Sequence, residues 1–110
     1  MMVEVPAAAL SIEAFAADFY SIGSNDLLQY LMAASRDEPE LSVLASPGPA
    51  FWRVMREIAE HGQTVQREVS LCGDLASDIR HVPQLLKCGL RTLSVAPAAL
   101  AAVKAAVRRV

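Results

Sequence analysis

Ser21-Ile22-Gly23-Ser24-Asn25-Asp26-Leu27-Leu28-Gln29-Tyr30 reads as a strand that stops at a glycine and restarts as a helix. The apolar run Phe19-Tyr20-Ser21-Ile22 ends at Gly23, a polar Ser-Asn-Asp cluster follows, and helical periodicity then begins. Ser24 or Asn25 is placed to cap the free N–H groups of that helix. Asp26 falls at the carboxyl end of a strand, where α/β proteins carry their chemistry.

The segments on either side repeat this pattern. Met1-Met2-Val3-Glu4-Val5-Pro6 reads as a strand already under way at the first residue, which points to a start within a larger fold. Pro6 closes it, and residues 7–17 read as a helix with Ala8, Ile12, Phe15 and Ala16 on one face. The opening strand is expected over 18–22 and its helix to about Ala34. Residues 35–49, broken by Pro39, Pro47, Gly48 and Pro49, read as a polar loop. Phe51, Val54, Met55, Ile58 and Ala59 then make a helical stripe that Gly62 is expected to stop. A third strand is expected over 65–71, running into Cys72-Gly73-Asp74, with Asp78 capping the next turn. A helix over 82–87 stops at Gly89, a fourth strand spans 92–95, and Pro97 opens a last helix. That helix carries Leu100, Val103, Val107 and Val110 on one side and Lys104, Arg108 and Arg109 towards its C-terminal end, where they suit the dipole.

Four βα units in succession argue for parallel strands joined by helical crossovers. Four is half of a (β/α)8 barrel, and 110 residues is close to half of the roughly 250 such a barrel uses. An isolated half leaves two unpaired parallel edges and one bare sheet face. The expected complement is therefore a homodimer, a partner chain, or further sequence of the same protein. The 54% hydrophobic content agrees, because it exceeds what so short a chain can bury alone.

Other classes are set aside by composition. No apolar run approaches the roughly 20 residues of a membrane span, and no basic segment followed by an apolar core opens the chain. The net charge of −2, without a basic stripe, argues against nucleic-acid binding. Cys72 and Cys88 are read as reduced thiols, which places the chain in the cytoplasm.

On a barrel wall the carboxyl ends of the strands share one mouth, where Glu4, Asn25-Asp26, Cys72-Gly73-Asp74 and the stretch 94–97 would gather. Two carboxylates there, Glu4 and Asp26, suit Mg²⁺, which keeps several waters and takes other ligands from substrate phosphate. Asn25 offers an amide, Arg36 a fork of donors for a phosphate, and Cys72 a proton. Each has an ordinary alternative: Glu4 as a surface charge, Asn25-Asp26 as a helix cap, Arg36 as a solvated loop cation, Cys72 as a small buried hydrophobe. His61 and His81 have no second ligand at metal spacing and receive no role; Cys88 is read as packing.

Met2-Val3-Glu4-Val5-Pro6-Ala7-Ala8-Ala9, the opening decapeptide, Arg36, Leu71-Cys72-Gly73-Asp74 and Leu93-Ser94-Val95-Ala96-Pro97 come in one order across nearly the whole chain. Together they resemble the phosphoenolpyruvate-binding barrel of the phosphoenolpyruvate-utilising enzymes, most closely phosphoenolpyruvate-protein phosphotransferase, enzyme I of the bacterial sugar phosphotransferase system. The resemblance implies that residues 1–110 form the C-terminal half of that barrel. It implies Glu4 and Asp26 as Mg²⁺ ligands, Asn25 in contact with phosphoenolpyruvate, Arg36 on the phosphoryl group, and Cys72 as the acid that protonates the enolate as pyruvate forms. The implied reaction passes the phosphoryl group to a histidine on a separate swivelling domain.

Departures from the family pattern accompany the match. Ser35 stands where the family has Asp, Asp74 where it has Glu after Cys-Gly, and Gly48-Pro49-Ala50 where it has His-Pro-Ala. The first half of the barrel, with its phosphate- and carboxylate-binding arginines, is not in these residues, nor is the phosphohistidine domain. The isolated half is therefore expected to be inactive alone. Two rival readings remain: a non-catalytic half-barrel that homodimerises, and a piece of a pyruvate phosphate dikinase or phosphoenolpyruvate synthase.

Overall fold

A computed structural model describes residues 1–35, 37–42 and 46–110, the side chains of residues 41 and 42 excepted. Four parallel strands, β1 (Met2–Val3), β2 (Tyr20–Gly23), β3 (Val69–Cys72) and β4 (Thr92–Leu93), form one sheet in sequential order. Helices connect them: α1 (Pro6–Leu10), then α2 (Ser24–Met32), α3 (Pro39–Ser42) and α4 (Pro49–Val65), then α5 (Asp74–Ser77) and α6 (Val82–Lys87), and last α7 (Leu100–Arg108). Sequential order with every neighbour parallel is the arrangement of half a (β/α)8 barrel, as the alternation in the sequence implies.

The register sorts the strand side chains onto two unlike faces. Val3, Ile22, Leu71 and Leu93 are successive partners across the sheet, and the first three are fully buried. They pack under α4, whose Phe51, Met55 and Ile58 are also fully buried, together with Leu27 of α2 and Leu85 of α6. Met2, Ser21, Ser70 and Thr92 are partners one residue earlier and point to the opposite face. None of these four is buried, and three carry hydroxyls. The helices thus cover one face of the sheet and leave the other, polar apart from Met2, open.

Several boundaries differ from the sequence reading, each for a local reason. The helix expected over 7–17 ends at Leu10, is followed by a 3-10 turn at Ile12–Ala14, and leaves Phe15 in extended backbone. The loop expected over 35–49 contains α3. The helix α4 does not stop at Gly62. It runs to Val65 and closes on Gln66, a left-handed residue at φ 56°, with Arg67 N–H donating to Gly62 O at 2.9 Å. Gly62 serves packing instead, because a Cβ there would collide with the Val69 side chain and lie 2.9 Å from Arg67 O. The longer helix shortens β3 to Val69–Cys72. Of the apolar side assigned to the last helix, only Val103 is buried.

Candidate functional site

At the carboxyl end of β2 the chain turns at Gly23, the residue in register with Cys72 at the end of β3. On the other side Glu4, just after β1, lies across the same glycine. A Cβ on Gly23 would sit 2.9 Å from Glu4 Cβ and 3.0 Å from its Oε2. Gly23 therefore lets the Glu4 side chain lie over the strand end beside it. Ser94 N–H donates to Leu71 O at 2.8 Å, which brings the end of β4 alongside Cys72. The strand ends thus bring Glu4, the Asn25-Asp26 turn, Cys72 and Ser94 to one edge of the sheet, as expected.

The helix α2 starts without a side-chain cap: Gly23 occupies the N-cap position. Ser24 and Asn25 instead bond to the β3–α5 turn. Ser24 Oγ, fully buried, donates to Cys72 O at 2.7 Å. Asp74 N–H donates to Asn25 Oδ1 at 3.0 Å. That bond occupies the acceptor end of the Asn25 amide and leaves its NH₂ donors for a ligand. Gly73, between these two contacts, has φ 102°, and a Cβ there would stand 2.6 Å from Ser24 Oγ and 2.9 Å from Asn25 Oδ1. The capping role expected of Ser24 or Asn25 is thus replaced by a lock between two strand ends. Asp78 makes the cap expected of it, accepting Arg80 N–H at 3.1 Å.

Cys72 is half-buried at the edge of the open sheet face. Its thiol donates to Ile22 O at 3.3 Å, and Ser21 Oγ donates towards Sγ at 3.8 Å. Ser21 was not singled out from the sequence. The period-2 rule that puts residues 21 and 23 on one face was the signal for it. Cys88, by contrast, is buried against Trp52 O, and burial pushes its thiol pKa up. An alkylating reagent is accordingly expected to modify Cys72 alone in the folded protein and both cysteines after denaturation. Peptide mapping of the labelled chain checks this, and equal labelling of the two would contradict the burial.

Glu4 and Asp26 are both half-buried, and neither carboxylate has a hydrogen-bond or ion-pair partner among the described residues. Asp26 lies in the first turn of α2, where negative charge suits the helix dipole. No cluster of three metal-ligating side chains occurs among the described residues. Two oxygen donors without protein partners nonetheless fit Mg²⁺, which is commonly held by one or two carboxylates plus water and substrate phosphate. Arg36 lies outside the described residues.

A cleft of about 290 Å³ opens beside the turn, lined by Ser24, Asn25 and Gln29 on one side and Asp74, Asp78 and His81 on the other. Glu4, Asp26 and Cys72 do not line it. Arg80 holds the Asp78 carboxyl well below the usual carboxylate range, chiefly through hydrogen bonds from its guanidinium. His81 lies 3.2 Å from the same carboxylate and packs near Trp52. His61 meets Tyr20 edge-on, its Nε2 3.4 Å from the phenol oxygen. Both histidines therefore have structural surroundings.

The four-stranded parallel sheet with helices on one face is half of a (β/α)8 barrel, with Glu4, Asn25 and Cys72 brought together at its carboxyl edge. Residues 1–110 match the family described as the PEP-binding domain of PEP-utilising enzymes, and the chain belongs to that family. It is 39% identical over 112 residues to multiphosphoryl transfer protein 1 of Escherichia coli (strain K12), covering 99% of this chain and 14% of that relative. It is 42% identical over 111 residues to a multiphosphoryl transfer protein of Xanthomonas campestris pv. campestris, covering 98% of this chain and 13% of the relative. It is 37% identical over 112 residues to the phosphoenolpyruvate-protein phosphotransferase of Geobacillus stearothermophilus, covering 99% of this chain and 19% of the relative. The chain therefore spans less than a fifth of the length of these relatives. Among the described residues no helix is long and apolar enough to cross a membrane.

Proposed function

We propose that this chain supplies the metal-binding and proton-donating half of a site that transfers the phosphoryl group of phosphoenolpyruvate to a protein histidine, releasing pyruvate in the cytoplasm. The observation that carries the reading is the convergence of Glu4, Asn25 and Cys72 around the Gly23 turn, with Asp26 in the next helical turn. Glu4 and Asp26 would hold Mg²⁺, which when bound offsets the negative charge of the substrate. Asn25, its oxygen engaged by Asp74 N–H, presents donors to the substrate. Arg36 takes the phosphoryl group. As the phosphoryl group leaves, the enolate of pyruvate needs a proton on its methylene carbon, and the Cys72 thiol gives it. Ser21 Oγ then stands nearest to donate a hydrogen bond to the thiolate that remains.

Isothermal titration with phosphoenolpyruvate, with and without Mg²⁺, tests the reading. Binding of phosphoenolpyruvate is expected to be strong with Mg²⁺ and weak without it. No binding in any arm, including one supplemented with an N-terminal half-barrel of a relative, would refute it. The homologues that are phosphotransferases favour this over a dikinase or synthase origin, which would keep the same residues. A nucleotide-binding segment in the neighbouring reading frame would reverse that preference. A non-catalytic assembly role is the second reading, and the open sheet face is the observation behind it.

A further inference from the structure

Gly23 is the register partner of Cys72, so no side chain stands directly opposite the thiol. The sulfur instead meets the two residues before Gly23 on β2. Its proton goes to Ile22 O at 3.3 Å, and Ser21 Oγ donates to it at 3.8 Å. Residues 21 and 23 share a face, as do 70 and 72, so Ser21 is the diagonal neighbour of Cys72 on the open face. Among the described residues no other donor reaches Sγ, and the Ser21 hydroxyl has no other acceptor. The two contacts act in opposite directions. A carbonyl oxygen only accepts, so Ile22 O favours the protonated thiol and opposes a thiolate. A hydroxyl can donate, so Ser21 favours the thiolate. A hydrogen bond to a charged acceptor is shorter and stronger than one to a neutral acceptor. The Ser21 contact, long at 3.8 Å while sulfur keeps its proton, therefore counts most once the proton has gone.

We infer that the Ile22 carbonyl and the Ser21 hydroxyl form an opposed pair that sets when Cys72 releases its proton, with Ser21 as the positioning residue. Ile22 O keeps the thiol protonated until an acceptor arrives, and Ser21 then takes up the charge left on sulfur. The inference rests on the reading of Cys72 as the acid that protonates the enolate. In that step the S–H bond breaks and the proton forms a C–H bond with the methylene carbon. The S–H electron pair stays on sulfur, and a proton from water later restores the thiol. A contact that strengthens as charge develops lowers the barrier of the step, whereas one of constant strength only tightens binding. Ser70, the register partner of Ser21, carries the same hydroxyl on the same face but makes no hydrogen bond to the sulfur, so it serves as the control.

Alkylation by iodoacetamide across a range of pH, quantified on the Cys72 peptide, reads the thiolate. Ser21→Ala is expected to move the profile up by about one pH unit, roughly a tenfold loss of thiolate below the midpoint. Ser21→Thr returns the hydroxyl on a residue that suits a strand, and its profile is expected to match that of the unsubstituted chain. Ser70→Ala is expected to leave the profile unmoved. The ionisable groups at this edge are Glu4 across Gly23, Asp26 in α2 and Asp74 in α5, and Ser94 is the neighbour from β4. All are the same in every variant, so differences between profiles report the hydroxyl. Melting curves check that each variant is folded, and a loosened strand end would raise alkylation at every pH instead of shifting its midpoint. An unmoved profile in Ser21→Ala would overturn the inference. So would an equal shift in Ser70→Ala or in Ser21→Thr. The assay contains neither phosphoenolpyruvate nor Mg²⁺, so this inference and the phosphoryl-transfer reading can fail separately.

Discussion

Gly73→Ala is expected to lower the thermal midpoint by about 10 °C or more and to disorder the turn that carries Cys72 and Asp74. Two independent effects act at this position. The backbone stands at φ 102° and ψ 179°, a region essentially reserved for glycine, where a side chain costs on the order of 1–3 kcal/mol. The added Cβ would also lie 2.6 Å from Ser24 Oγ and 2.9 Å from Asn25 Oδ1. Forcing those groups aside costs a further roughly 1–3 kcal/mol. Together these approach the roughly 5–15 kcal/mol that holds a whole domain, and each kcal/mol moves the midpoint of a chain this size by about 4 °C. Gly48→Ala is the control: its φ is −122° and nothing lies within 4 Å of the added carbon, so a change below about 1 kcal/mol is expected. Ser24→Ala supplies a second check. Alone it removes a buried hydrogen bond and leaves Cys72 O short of a donor, a loss of about 1–3 kcal/mol. In its background Gly73→Ala should cost less, because the closest obstacle is gone. Thermal melts of the single and double variants read this coupling. A Gly73→Ala protein that melts with wild type would refute the interlock.

That interlock marks the limit of what the sequence made legible. The four βα units, their parallel order and the gathering of strand ends followed from periodicity and from the breakers Pro6, Gly23 and Gly89. Each of these acts on its own neighbours, so each can be read locally. Gly62 misled for the opposite reason. Its glycine serves the close approach of Val69, a residue on a later strand, so the helix passes through it and stops at Gln66. Ser24 and Asn25 likewise looked like caps because capping is the local use of such residues. Their actual partners, Cys72 O and Asp74 N–H, lie almost 50 positions away. Ser21 escaped notice because a serine in a strand is unremarkable until register places it beside a thiol. The open sheet face was expected from the strand count alone.

Asp26→Asn is expected to abolish the Mg²⁺ requirement of phosphoenolpyruvate binding together with most of the binding itself. Glu4 and Asp26 stand half-buried just past the ends of β1 and β2 without protein partners among the described residues, so neither negative charge is offset within the chain. A phosphorylated carboxylate brings several more. Without a cation these charges repel, and with one they are bridged, so metal and substrate should each raise the other's affinity by the same factor. Loss of a group that merely supports a metal ligand costs about 10–100-fold, so loss of a proposed ligand should reach at least the upper end of that range. The sign of the metal-free change separates this from simple damage. Asn has the shape of Asp without its charge, so the residual affinity for phosphoenolpyruvate without Mg²⁺ should hold or rise slightly as one repulsion disappears. A variant that had only lost its fold would lose both. Glu4→Gln should behave alike, because its carboxylate lies over the same turn. The measurement is a matrix of titrations, wild type and both variants, each with and without Mg²⁺, alongside melting curves to show that the proteins remain folded. Full Mg²⁺-dependent affinity in Asp26→Asn would remove the carboxylate from the proposed site. The reading would then rest on Glu4, Asn25 and Cys72, too few donors to retain a cation.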